Sequence, residues 1–131
     1  SILTSVLALV CLSVFLIIVL VSGTSHVRAN RGRQQFDVGM SAEDVVAVVM
    51  SEEFEPSVVH CKIVVDGENV VGAGVYCIQS IEQMLEEEQH KQIIVSEVVF
   101  GFRDLVLMQS YFLINLDSSG CVVGVSEVSG Y

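Results

Sequence analysis

The chain has 131 residues, 52% of them hydrophobic, and a formal net charge of −10. All sixteen acidic residues lie at Asp37 or beyond, so from Gln34 onward three basic residues face sixteen acidic ones, a net of −13. A head so acidic is repelled by phosphates and excludes the usual nucleic-acid binder, which gains affinity by displacing counterions with Lys and Arg.

The first element is residues 2–21, ILTSVLALVCLSVFLIIVLV, with no charge. Twenty residues at about 1.5 Å each make a helix of roughly 30 Å, the thickness of a hydrocarbon core, and the stretch reads as a single-pass transmembrane anchor over residues 1–22. A signal peptide is disfavoured because the apolar run exceeds the usual 7–15 residues and no Lys or Arg precedes it. The chain starts at Ser1 rather than Met, so an initiator has been removed or an upstream piece is missing. Cys11 lacks the small residue a lipobox places before its Cys, and reads as an apolar packing residue. Residues 23–36 are polar and glycine-punctuated and read as a basic linker, in which Arg28, Arg31 and Arg33 are placed for contact with a membrane surface or an acidic partner. Arginines on that flank favour a cytoplasmic head under the positive-inside rule.

Residues 37–131 are expected to form one acidic α+β head. Ser41, with Glu43 and Asp44 after it, predicts a capped helix from Ala42 to about Glu52, with Met40 and Val45 placed as a hydrophobic staple. Pro56 marks the exit. Residues 57–65 and 70–78 are β-branched runs flanking Asp66-Gly67-Glu68-Asn69 and predict an antiparallel hairpin, in which Gly72 and Gly74 suggest a bulge or a close backbone contact. His60 and Cys61 are neighbours on a strand and point to opposite faces, so no metal site is expected there. Cys61, Cys77 and Cys121 match no zinc spacing; a Cys61–Cys77 disulfide and three reduced thiols both stay open.

Ser80-Ile81-Glu82-Gln83 resembles a capping box and predicts a second helix over 81–91, with Glu86 to His90 and Glu87 to Lys91 paired on its wet face. The acidic run 86–88 and His90 read as solvated surface. Strands follow over 93–102, 105–116 and 121–128, the last two joined by the turn Asp117-Ser118-Ser119-Gly120. Tyr111, Leu113 and Asn115 share one face and Phe112, Ile114 and Leu116 the other. A sheet so apolar on both sides wants helix cover on one and leaves the other for a partner.

The phrase 39–45 (GMSAEDV), followed by the strand–turn–strand 111–123 (YFLINLDSSGCVV), resembles the small outer-membrane assembly lipoproteins of the BamE (SmpA/OmlA) family. The resemblance implies a helix on a short antiparallel sheet, a scaffold that binds other proteins, and a periplasmic or extracytoplasmic head, against the cytoplasmic side favoured by the arginines. It carries over no catalytic residue. The chain departs from the family in having no lipobox, no Gly-x-Pro after the first helix and an extra helix between strands.

Gly-x-Ser-x-Gly, Walker, His-Glu-x-x-His and Cys-x-x-Cys signatures are missing, and 71–75 (VGAGV) lacks the third glycine of a dinucleotide loop. No catalytic residue, cofactor or metal is therefore expected. The expected function is that of a non-catalytic, membrane-anchored accessory or assembly subunit of a larger membrane complex. Its partners are integral membrane proteins and lipid, with homo-oligomerisation open. The alternative is a pilin-like structural subunit whose hydrophobic N-terminal helix packs in a filament core. Against it stand Ser5, where pilins usually carry Glu, and Gly23, which ends the apolar run where a pilin helix would continue.

Overall fold

The computed structural model describes residues 1–86, 92–104 and 109–130, with the side chains at positions 19 and 21–24 excepted. Three helices and a six-stranded antiparallel sheet make up the described chain: α1 (Ile2–Arg33), α2 (Ala42–Val49), β1 (Val58–Val65), β2 (Glu68–Ala73), α3 (Val75–Met84), β3 (Ile93–Arg103), β4 (Gln109–Leu116), β5 (Val122–Val125) and β6 (Ser129–Gly130). The strand order is β2-β1-β3-β4-β5, with β6 paired to β4.

Two expectations are overturned at the N-terminus. Among the described residues no helix is long and apolar enough to cross a membrane. The transmembrane anchor is thereby corrected. With it go the single-pass localisation and the contest between a periplasmic and a cytoplasmic head. The linker over 23–36 is corrected too, because α1 continues unbroken to Arg33. Its last turns lie across β3 and β4. Ser25, Ala29 and Gly32, one helical turn apart, form the buried face, and small residues there let the helix backbone sit close to the sheet.

What it sits on is a cluster of five phenylalanines. Phe36 stacks on Phe100 with ring centroids 5.4 Å apart, Phe54 meets Phe100 edge-on at 4.9 Å, and Phe102 stacks on Phe112 at 6.1 Å. Phe100 and Phe112 are fully buried. Alternation along β4 turns Ser110, Phe112, Ile114 and Leu116 inward, as strand geometry requires. The same sheet face gathers Cys61, Ile63, Val95 and Val98 under α3, against which α2 packs.

Local signals explain most of the remainder. Ser41 accepts from the Asp44 N–H at 3.3 Å and caps α2, which stops at Val49 because Ser51 to Phe54 fold into turns. Asp66 and Gly67 both adopt positive φ, 50° and 85°, the pattern of a two-residue type I′ hairpin turn. The helix expected over 81–91 begins instead at Val75. Gly74, at φ 63°, turns the chain out of β2 and straight into α3, and Ser80 sits mid-helix with its hydroxyl donating to the Tyr76 carbonyl at 2.8 Å. The expected pairs reaching His90 and Lys91, and the start of the strand at 105, lie outside the described residues.

Cys61 and Cys77 form a disulfide that ties α3 to β1 with Cα atoms 5.8 Å apart. Closing a loop with a sequence separation of 16 stabilises by about 3 kcal/mol in the chain-entropy treatment. Both sulfurs sit in residues at most 2% exposed. Reductant alone should therefore act slowly on the folded protein, while the C61A/C77A double variant should lose about 2–4 kcal/mol in urea unfolding. Equal midpoints for the variant and the oxidised protein would show that the crosslink contributes nothing.

A Cβ on Gly32 would stand 3.0 Å from Phe102 Cζ and from Phe54 Cε2. Gly32→Val should thus force α1 off the aromatic cluster and lower stability by about 1–3 kcal/mol. Thermal unfolding followed by near-UV circular dichroism reads this directly, because the rings report their own packing.

Candidate interaction surfaces

The three arginines singled out in the sequence have different fates. Arg28 is half-buried. One terminal nitrogen donates to the Arg103 carbonyl at 3.3 Å, the other to the Glu55 carbonyl at 3.0 Å, and the guanidinium lies 5.7 Å from the Phe102 ring centre. Arg33 donates through Nε to the Ser126 carbonyl at 2.6 Å. These two fasten α1 to the end of β3, to the loop between α2 and β1, and to the loop after β5. Arg31 is exposed and lines a cavity of about 250 Å³ with Arg28, Gln35, Glu53 and Glu55, floored by Phe54 and Phe102. The two glutamates offset the two guanidiniums, so the cavity carries no net positive field. Of the three arginines, Arg31 retains an exposed cation for a partner.

Cys61 and Cys77, the other residues singled out, stand together in the disulfide; Cys121 and Cys11 are free thiols. His60 points from the opposite face of β1 and is exposed. Among the described residues no group of three His, Cys, Asp or Glu side chains is placed to hold a metal ion.

The N-terminal half of α1 presents an exposed apolar surface. Ile2 is 85% exposed, Leu7 63%, Phe15 62% and Leu20 69%. These residues do not form a stripe; they face every direction round the helix, and no charged residue interrupts them before Arg28. A helix apolar all round is one that other groups surround. Ser1 and Ser13 bond to backbone or side-chain groups of this same helix, so its few polar groups demand no outside partner.

A second uncovered surface is the outer face of the sheet. Val64, Val99, Tyr111 and Leu113 are half-buried there beside exposed His60 and Lys62. Lys62 and Glu97 approach to 3.7 Å, an exposed pair of small energetic weight. No family model, no curated protein and no solved structure matches the chain.

The turn 117–120 is held by a carboxylate. Asp117 accepts from the Cys121 N–H at 2.9 Å and from the Ser119 hydroxyl and N–H at 3.0 and 2.9 Å. Bonding to the Cys121 amide first, then to the Ser119 hydroxyl, holds its pKa below the ordinary aspartate value. A depressed carboxylate stabilises the fold above its unfolded pKa and loses that contribution as pH falls through the folded one. Hydrogen exchange at Cys121 should therefore accelerate as pH is lowered through about 4 and below, beyond the intrinsic trend. Asp117→Ala should show the fast exchange at every pH; an unchanged wild-type profile would mean that the carboxylate does not hold the turn.

Proposed function

We propose that this protein is a non-catalytic subunit of a protein assembly, held there by the N-terminal half of α1, which other chains surround, while the acidic sheet domain is displayed for docking. The observation that carries the reading is the apolar, uncharged rod of exposed side chains over Ile2–Ile18 and at Leu20, on a helix continuous with a folded head. Exposed contiguous apolar surface on this scale marks an association site. The resemblance of 39–45 and of the strand–turn–strand 111–123 to a family of assembly lipoproteins points in the same direction.

A second reading has an observation of its own. The sequence objection to a pilin-like subunit was that Gly23 ends the apolar helix, and α1 instead runs on to Arg33 and lies across the sheet. A long helix whose first half protrudes and whose second half packs on an antiparallel sheet suits a filament subunit, in which copies of the first half pack side by side. Ser5 still stands where pilins usually carry Glu.

Gentle extraction from native material, followed by sizing and mass spectrometry of what travels with the chain, tests both. Fixed stoichiometry with other proteins supports the accessory subunit, filaments of the chain alone support the second reading, and a free monomer overturns both. Leu9→Glu and Phe15→Glu should each weaken the association at least tenfold, because a carboxylate would have to be buried among apolar neighbours. Both side chains are exposed, so the melting temperature of the head should stay within 1 °C or so of the parent. Unaltered co-elution of both variants would rule out the rod as the contact.

A further inference from the structure

We infer that β2 is a self-pairing edge: two copies of this chain join their β2 strands antiparallel across a two-fold axis, with Val71 opposite Val71 of the second copy. The sheet has two edges, and they are treated differently. At the β5 edge the Gly39 N–H donates to the Val122 carbonyl at 2.7 Å and the Val122 N–H to the Met40 carbonyl at 2.9 Å, so the segment before α2 seals it. β2 lies at the other end of the order, and every residue in it except Gly72 is exposed. Val71 is 76% exposed. Natural edges are usually blunted by Lys, Pro or a bulge. From Asn69 to Ala73 β2 has none of the three.

The register follows from backbone geometry. The two-residue turn closes on the pair Val65 and Glu68, and such a turn closes on a hydrogen-bonded pair. Glu68, Val70 and Gly72 then direct their N–H and C=O groups at β1. The Gly74 N–H, donating to the Val59 carbonyl at 2.9 Å, continues the same phase. Asn69, Val71 and Ala73 direct theirs outward. Only a register that pairs outward residues with outward residues satisfies them and keeps both sheets facing the same way. Val71 opposite its own symmetry mate does so, setting Asn69 opposite Ala73 in both directions.

Charge agrees with that choice. Glu68 is the one charged residue of β2, and in this register it falls opposite Gly74 of the second copy rather than opposite another carboxylate. A parallel pairing would set the two glutamates side by side, which is destabilising. Val71 would meet its mate beside a notch of about 260 Å³ lined by Lys62, Val64, Asn69, Val70, Val71 and Ser96. An isologous contact of this kind closes on itself as a dimer.

The test is register-resolved crosslinking of the full chain with Cys11 and Cys121 replaced by Ser. Directly opposite residues of a hydrogen-bonded pair stand about 5.5 Å apart between Cα atoms, within disulfide range. Val71→Cys should give a crosslinked dimer under mild oxidation. Asn69→Cys, about 14 Å from its mate, should not. Val71→Lys should raise the dimer dissociation constant at least tenfold in sedimentation equilibrium with an unchanged circular dichroism spectrum. To separate this contact from packing of α1, all measurements are repeated with Leu9→Glu: persistence of the Val71 crosslink places the contact at β2. No crosslink at Val71, equal crosslinking at Asn69, or loss of the crosslink with Leu9→Glu would overturn the pairing.

Discussion

The constraint on which the structure depends is the contact between Gly32 and the phenylalanine cluster below it. Phe36 and Phe54 come from the loops on either side of α2, while Phe100, Phe102 and Phe112 come from the two central strands. Rings at these separations add about 0.5–1.5 kcal/mol per pair beyond the area they bury. The cluster thereby joins the end of α1, the loops around α2 and the middle of the sheet in one packed unit. A side chain at position 32 would wedge that unit apart, because its Cβ would meet three rings within 3.3 Å. Arg28 and Arg33 then pin the helix from either flank to carbonyls of the head.

That arrangement divides α1 into two halves with opposite logic. The C-terminal half is polar outside and small inside, so it binds its own sheet by close approach rather than by a broad apolar stripe. The N-terminal half has no inside at all. Burying its surface is worth about 25 cal/mol per Å², a driving force that the isolated chain does not collect. The continuous helix makes the protruding half a stiff extension of the head, so whatever surrounds it also fixes the direction the head faces.

Much of the fold was legible where a residue has one local job. Ser41 with Glu43 and Asp44 announced α2, and Asp66-Gly67 announced the hairpin, because caps and left-handed turns use few residue types. The alternation in β4 was readable for the same reason. The start of α3 was not: Val75, Tyr76 and Ile78 favour strands, and Ser80 with Gln83 imitated a cap, while the true start is a glycine that a strand reading took for a bulge. Nor was the second half of α1. Its buried face is Ser25, Ala29 and Gly32, which carry no apolar period, so the segment looked like linker. Hydropathy alone overstated the first half, since an uncharged run indicates what a helix avoids and not what surrounds it. The arginines looked like a surface patch because nothing in the sequence shows that two of them meet carbonyls some 27 to 93 residues away. The missed signal was the spacing 25-29-32 of small residues, one face of a helix.

The two uncovered features lie on different parts of the head, and their separation governs what assembly can do. α1 crosses β3 and β4, whereas β2 is separated from β3 by β1, so the free edge lies roughly 10 Å from the nearer strand under the helix. A copy paired through β2 therefore leaves both protruding helices accessible, and a chain held by α1 leaves its edge free. Two weak contacts that can form together act as one stronger contact, because the second forms at the effective concentration set by the first. The head's net of −13 opposes crowding of copies through general repulsion, which salt shortens in range. Because that repulsion acts on every copy, the two proposed contacts rest on directional groups, a backbone ladder at β2 and an apolar helix, rather than on surface charge, all sixteen acidic residues lying at Asp37 or beyond.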